Sequence, residues 1–580
     1  MAAAVLPQGR RSRRSGRRAG SVYAAMTVLM VAALLPALHP PRPPVPPTAA
    51  YAPEAVATPP PPPEQSSVSG KTGNAQGSKG APGGGGATAT PSPAASPSAG
   101  PTPTVPNSKD QGTVVPKHLD CVGDPATQIP DTQSAPCISS WDGSAGNGGR
   151  TANGVTDTTI RIWIPNQQTA HQQNWLDYIN NHFELYGRKI VIGGGGCPTE
   201  GDEVGAGGPV AAMQSQAIKV ASKDIFVSLG ACDAGGGELA YYDTLARKGI
   251  ISVSQTPDTR SSADFARYAP YEWSYIPPMD QDEQALAATA CRQMLGNAPV
   301  YAGGAKRVFG IARTAYPDQQ PIDLGPLTAG LGQCGIAVDS KDIRTIDFVE
   351  STQNTGYQNQ NAQSVQEAQQ AMTQMKLDGV TSVIVVTHST TTQALMLAAD
   401  QVGMTPEWLM SSYLYNTEWP LNPPAPSDQW AHAFGLDYFN KLVPPQDNTW
   451  YTADEEIEPG YQWGTTNGPG EYYAGKYMWY ELLLLANALQ MAGPHLTPQT
   501  FQEGLWKTQW PNPPSPYYEG HVGFAQDHSF VKDYALVWYS PSATGAWGQG
   551  GSWCYVNHGT RYTDDSQPRN APFFQGSCDS

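Results

Sequence analysis

Beyond Gly154 the chain alternates short β-branched runs with stretches of helical spacing, and it does so twice. Residues 158–164 (TTIRIWI) put Ile160, Ile162 and Ile164 on one face, a period of two that predicts a strand. Residues 171–186 then space Trp175, Tyr178, Ile179, His182, Phe183 and Tyr186 as a helix. Residues 189–192 read as a strand and 209–222 as a helix. Residues 224–229 (DIFVSL) read as a strand, 236–248 as a helix and 249–254 (GIISVS) as a strand. The pattern then restarts with a helix at 281–295. Strands follow at 306–312 (KRVFGIA), 342–348, 381–387 (TSVIVVT) and 407–410. Helices at 326–331, 363–376 and 390–402 separate them. Strand–helix alternation predicts parallel strands with helices on both faces, so the fold class is α/β, with two doubly wound parallel-sheet units near 155–278 and 281–412.

The remaining segments read differently. Residues 413–470 are rich in Pro, Trp and Tyr and read as irregular. A long helix covers 471–491. Thr497 and Pro498 mark a further helix start, as cap and first helical residue. Residues 534–539 (YALVWY) read as a late strand. Residues 118–150 and 541–580 show nothing beyond a disulfide-stapled periphery.

The N-terminal 117 residues do not fit a packed domain. Residues 36–117 hold 21 of the 54 prolines of this 580-residue chain, with Tyr51 as their one aromatic residue. Such a stretch cannot bury enough apolar surface to offset its ordering entropy, which predicts a disordered linker over 51–117. Ahead of it, Arg10, Arg11, Arg13, Arg14, Arg17 and Arg18 precede the uncharged run 21–35 (SVYAAMTVLMVAALL). A basic segment followed by a short apolar one reads as an export signal over 1–50, with Thr48-Ala49-Ala50 as cleavage site. An uncleaved anchor is the alternative, although a span needs ~20 apolar residues. Either reading places the folded part outside the membrane, secreted or attached to the cell envelope, with membrane contact only through this segment.

Charge and cysteine narrow the function. The chain carries 34 basic against 50 acidic residues, and seven of the basic ones lie in residues 1–50. So acidic a folded part is a poor partner for nucleic acid. The eight cysteines lack any C-x-x-C spacing, and no His stands at a ligand spacing from any of them. In an oxidising compartment they read as disulfides, with no metal site.

Catalytic signatures are missing as well: no G-x-S-x-G, H-E-x-x-H, P-loop or G-x-G-x-x-G after a strand. The positional rule is more useful, because ligands of open α/β sheets bind outside the carboxyl ends of the strands. There the sequence puts Asn166-Gln167, Cys232-Asp233-Ala234, Ser254-Gln255-Thr256, the run from Arg313 to Tyr316, His388-Ser389-Thr390 and the run from Ser411 to Tyr413. Asp233-Ala234-Gly235 also begins a helix, where free N–H groups favour an anion. Hydroxyls, amides, one His and aromatics hold a small polar molecule by hydrogen bonds. They form no nucleophile–base pair, so binding without catalysis or cofactor is expected.

The order of elements resembles a known family. Gly154-Val155-Thr156-Asp157 leads into a strand, and two α/β lobes follow. Asp378-Gly379-Val380-Thr381-Ser382-Val383-Ile384 precedes a later GMTPEWL at 403–409. Tyr472-Tyr473-Ala474-Gly475 opens a Leu/Ala-rich helix ending in Met491-Ala492-Gly493. Over about 155–540 this resembles the type 1 periplasmic binding proteins, in particular the branched-chain amino acid (leucine/isoleucine/valine) binding proteins of ABC transporters.

The resemblance implies two lobes closing on a ligand, with crossovers near 279–281, within 413–470 and near 525–531. Lobe 1 is then 155–280, completed by about 470–530. Lobe 2 is 281–469, completed by about 531–560. A Cys-containing extension (118–154) and a tail (561–580) flank them. The implied first-lobe site is Asp233, Ala234, Ser254 and Thr256. Asp282 matches the family's acidic residue after the first crossover, Tyr316 its second-lobe tyrosine, and His388 its aromatic position. Ser411 lies where amino-acid binders carry an acid, and Asp233 stands where a small hydroxyl is usual. The aromatics Trp419, Trp430, Trp450, Tyr451 and Trp463 serve either ring stacking or the core. The implied disulfides are Cys197–Cys232 and Cys291–Cys334, which leaves Cys121–Cys137 and Cys554–Cys578. The implied function is an extracytoplasmic protein that captures an amino acid, amide or related solute for an ABC permease. The alternative is an anchored ligand-sensing ectodomain that signals through a partner.

Overall fold

A computed structural model describes Leu119 and residues 121–580, apart from 166–170, 198–207, 232–237, 255–258, 317–320, 349–357, 414–426, 442, 461–468, 515–520, 525–526, 546–549, 576–577 and 579–580. The export signal and linker therefore lie outside the described residues, as do Cys232, Asp233, Ala234 and Thr256. No described helix is long and apolar enough to cross a membrane.

The first lobe is built on five strands: β1 (Thr159–Ile164), β2 (Lys189–Gly195), β3 (Val227–Leu229), β4 (Ile251–Ser254) and β5 (Glu272–Ser274). Their order is β2-β1-β3-β4-β5, and all pairs are parallel. Parallel neighbours need a crossover, supplied here by α1 (His171–His182), α2 (Gly208–Ala221), α3 (Glu238–Arg247) and α4 (Ser262–Tyr268). The period of two in β1 does what it predicts. Ile160, Ile162 and Ile164 join the core shared with α1, while Trp163 turns to the other face with Met213, Tyr241 and Leu245. Gly154, just before β1, has φ +67, and a Cβ there would lie 2.3 Å from the Phe226 nitrogen, so only glycine fits.

The second lobe carries β6 (Phe309–Ala315), β7 (Ile343–Asp347), β8 (Ser382–Val386), β9 (Glu407–Ser411) and β10 (Ala433–Asp437), all parallel along the order β10-β9-β8-β6-β7. Helices α5 (Met279–Thr289), α6 (Gly325–Gln333), α7 (Gln358–Leu377), α8 (Ser389–Val402) and the short α9 (Ser427–Trp430) accompany them. The sheet then grows antiparallel: β11 (Tyr534–Thr544) pairs with β10, and both β12 (Gly550–Tyr555) and β13 (Arg561–Tyr562) pair with β11. The antiparallel edge follows from the last crossover, which returns the chain beside β10 in the opposite direction. β10 can lie this close to β9 only because Gly435 faces Met410, whose carbonyl oxygen would be 1.7 Å from a Cβ.

Between β10 and β11 the chain revisits the first lobe with α10 (Thr449–Ile457), α11 (Pro469–Ala492) and α12 (Pro498–Lys507). Trp175 Nε1 donates to the Trp450 carbonyl at 3.0 Å, and Phe226 meets Phe501 at 6.3 Å between ring centroids. Leu482 to Leu485 are all buried. Each such side chain is worth ~1.5–3 kcal/mol relative to exposure, which explains the helix's unbroken apolar run. Three crossovers thus link the lobes: from Ser274 to Met279, from Asp437 to Thr449, and through 528–533. The first and third run together, with Phe530 N donating to Ser274 O (3.1 Å) and Val531 N to Tyr275 O (2.9 Å). The second joins them through Phe439, stacked on Tyr275 at 5.6 Å.

Seven elements had no sequence expectation: α4, β5, α9, β10, α10, β12 and β13. β10 (AFGLD) is buried at every position and too short to show alternation. Of the aromatics in this part, Trp430 and Trp450 are core residues, whereas Trp419 and Trp463 lie outside the described residues. The flanking segments are woven in rather than peripheral. Ile129 and Ala135 are fully buried, and Arg188 donates to the carbonyls of Asn147, Thr156 and Pro494. Disulfides Cys121–Cys137, Cys291–Cys334 and Cys554–Cys578 are formed. Cys197 is also disulfide-bonded, and its expected partner Cys232 lies outside the described residues.

Candidate functional site

The carboxyl ends of the strands converge on three small constellations. In the first lobe Ser254 ends β4 and is almost fully buried. Its hydroxyl accepts from Arg260 Nη2 at 2.7 Å and donates weakly to the Trp273 carbonyl at 3.4 Å. Arg260 also pairs with Glu272 at 3.1 Å, both 1% exposed, and lies 3.8 Å over the Tyr242 ring. Burial pushes the Glu272 carboxyl above its ordinary range, and the guanidinium opposes that. Ser254 is therefore held by a buried ion pair that no local residue pattern signals, because Arg260 lies just ahead of α4 and Glu272 opens β5.

In the second lobe β6, β7 and β8 end in an aromatic group. Tyr316 stacks on Phe348 at 5.2 Å, and Phe348 meets His388 edge-on at 4.9 Å. Parallel strands in register bring these three together, since each lies within two residues of a strand end. His388 caps α8: its Nδ1 accepts from the Thr390 N–H at 3.4 Å, while its own N–H donates to Thr314 Oγ1 at 3.1 Å. An accepting Nδ1 puts the proton of the neutral ring on Nε2. The same end-of-strand rule that singles out Tyr316 and His388 could have found Phe348.

The third constellation lies at the carboxyl end of β9. Asp282 occupies the first turn of α5, and its Oδ2 accepts from the Ser411 hydroxyl at 3.0 Å. Ser411 Oγ in turn accepts from the Tyr413 N–H at 3.2 Å. Burial pushes the Asp282 carboxyl up to about 7, against the pull of Ser411 and of the neighbouring Tyr438 hydroxyl. Its neighbour Glu283 is also buried and raised to about 8, with Oε2 accepting from Leu327 N–H at the start of α6. A carboxyl that is neutral over much of the physiological range donates as well as accepts.

The structure therefore brings Asp282 to Ser411, and Tyr316 to His388 through Phe348. Ser254 stands apart from both in the first lobe. The described residues contain no cluster of His, Cys, Asp and Glu able to hold a metal. The arrangement offers an aromatic wall, hydroxyls and buried carboxyls, a set suited to hydrogen bonding.

No family model matches the chain, and no curated protein matches it in sequence. Several solved structures are similar to it at low identity. One is a substrate-binding protein of an ABC transporter from Aeropyrum pernix, at 11% identity and TM-score 0.45, covering 71% of this chain and 97% of that one. Another is a fatty acid ABC transporter substrate-binding protein from Thermomonospora curvata, at 12% and 0.44, covering 73% and 97%. A third, from Rhodopirellula baltica SH 1, is described as a possible leucine/isoleucine/valine-binding protein, at 10% and 0.43, covering 68% and 96%.

Proposed function

We propose that this chain is an extracytoplasmic solute-binding protein that captures a small polar organic molecule between its lobes and delivers it to an ABC importer. The observation that carries this reading is the joint. Two α/β lobes are linked by three crossovers that meet at Tyr275, through the backbone of Phe530 and Val531 and the ring of Phe439. Such a joint lets two rigid bodies rotate through a few backbone torsions. The strand ends supply the recognition chemistry. Tyr316, Phe348 and His388 suit the apolar or planar part of a solute, and Asp282 with Ser411 suits an amide or amino group. An amino acid, an amide or a related compound fits that set, as the branched-chain amino acid binding family would. On the same reading residues 1–50 direct export and 51–117 serve as a passive linker between that segment and the lobes.

The test is a thermal-shift screen of the intact chain against amino acids, amides, aromatic acids, sugars and short peptides. A ligand at about 1,000 times its Kd stabilises the folded state by about 4 kcal/mol, enough to raise the melting point by several degrees. One responding class would name the solute. A flat response across the whole panel would remove the solute-binding reading.

A further inference from the structure

The segment ahead of the first lobe reaches into the joint. Gln133, 2% exposed, donates from Nε2 to Asn440 Oδ1 at 3.0 Å and accepts at Oε1 from the Tyr275 hydroxyl at 2.7 Å. Tyr275 belongs to the first crossover and Asn440 to the second, so one side chain spans both. The loop around Gln133 is fixed to the first lobe. Asn487 of α11 donates to the Gln133 carbonyl at 2.9 Å and accepts from the Ala135 N–H at 2.8 Å. Gln490 donates to the Pro136 carbonyl at 3.2 Å, and the Cys121–Cys137 disulfide closes the loop at its base. Tyr275 is held further by stacking on Tyr480 of α11 at 4.7 Å.

A second grip comes from the other lobe. Arg561 of β13 is anchored beside β11, where it pairs with Ala535. Its Nε donates to Asp533 Oδ1 at 2.7 Å, and its Nη groups donate to the carbonyls of Tyr438 (2.8 Å), Phe439 (2.9 Å) and Asp533 (2.6 Å). The guanidinium fork suits such a set of carbonyls. Phe439 is thus tied to the second lobe and Asn440 to the first. In the third crossover Val531 is tied to the first crossover, while Asp533 is gripped from both sides, by Arg561 and by the His521 N–H at 2.8 Å.

From this placement we infer that the disulfide-closed loop 121–137 is a strap across the hinge: with Arg561 as its counterpart, it confines rotation of the second crossover to the link between Phe439 and Asn440, and so sets the balance of inter-lobe angles. The inference rests on lobe rotation, the motion that solute capture requires. The first crossover has one further restraint. Met279 N donates to Arg260 O (3.0 Å) and Ser262 N to Asp280 (2.7 Å), bonds that rotation must stretch. A hydrogen-bonded strap acts because hinge torsions and strap bonds cannot both be satisfied at every angle. Removing one bond leaves the lobes intact and widens the range of angles.

The test is a distance distribution between spin labels on introduced cysteines at Ile218 of α2 and Leu377 of α7, which are 55% and 75% exposed. No described native cysteine is free to compete for label. Gln133→Ala should broaden the distribution, with about a fivefold rise in the minor population for each bond lost, the factor carried by one ordinary hydrogen bond. Tyr275→Phe keeps the ring stack and removes only the hydroxyl, so it reads the same strap without emptying a core position. The paired change Cys121→Ser with Cys137→Ser should broaden it too. Superimposable distributions for Tyr275→Phe and the parent protein overturn the inference. A broadened distribution alongside a flat solute screen would remove the capture reading and keep the strap.

Discussion

Ser411, the last residue of β9, donates its hydroxyl to Asp282 in the first turn of α5 at 3.0 Å, with the carboxyl buried away from solvent. The pair fastens the helix that follows the first crossover to the end of a central strand of the second lobe. Burial of that carboxyl, opposed by Ser411, predicts a pH dependence of the second lobe's stability.

Burial raises the Asp282 carboxyl from 3.8 to about 7, and Asp564 adds a smaller push in the same direction. The folded protein therefore keeps a proton that the unfolded chain releases near pH 4. Stability from this group is complete below about pH 4 and is lost as pH rises through 7. The upper limit of that loss is about 4 kcal/mol. Asp282→Asn should flatten the fall in urea midpoint between about pH 4 and pH 7. Glu283, raised to about 8 chiefly by burial and also by Asp282, Asp323 and Asp280, acts in the same sense and leaves a residual slope. An unchanged slope in Asp282→Asn would show that the carboxyl titrates as an ordinary acid.

The role of Ser254 is open to a direct comparison. Ser254→Ala takes away an acceptor of the buried Arg260 and should cost about 1–3 kcal/mol. Glu272→Ala leaves that guanidinium without its counter-charge and should cost more, about 3–5 kcal/mol. Urea unfolding of the two variants gives the order. If Ser254→Ala keeps full stability while solute binding weakens, the hydroxyl serves the solute and not the ion pair.

Cys291, in the π-helical turn that continues α5, is bonded to Cys334 at the end of α6, across a sequence separation of 43 residues. A loop of this length should contribute about 4 kcal/mol by restricting the unfolded chain. Replacing both cysteines by Ser should lower the denaturation midpoint of the second lobe by that margin. The Asp282–Ser411 pair lies elsewhere on α5, so the pH slope of the variant should match that of the parent.

Several parts of this molecule are legible in the residue pattern alone. Ile160, Ile162 and Ile164 signal a strand with one buried face, and TSVIVVT signals one buried on both. Each signal is local: the pattern records which way neighbouring side chains point, and burial then follows. The ends of those strands are equally legible, so Tyr316 and His388 can be placed on one rim. Asp282 can be named from the sequence but not understood from it. Its charge suggests a helix start, whereas its raised pKa comes from burial, which Ser411 and Tyr438, residues of distant segments that only the fold brings to it, partly oppose.

What the sequence by itself determined is therefore the alternation of strands and helices, the two-lobe α/β plan and the residue types at the strand ends. These depend on side-chain spacing within a few residues. Tertiary structure alone decided the antiparallel edge of the second sheet, the Arg260–Glu272 pair behind Ser254, and the meeting of Gln133, Tyr275 and Asn440 at the joint. Those contacts join short, aperiodic segments that are distant in the chain. Their partners are fixed only when the crossovers return and the packed lobes exclude water, which leaves each buried polar group needing a specific mate.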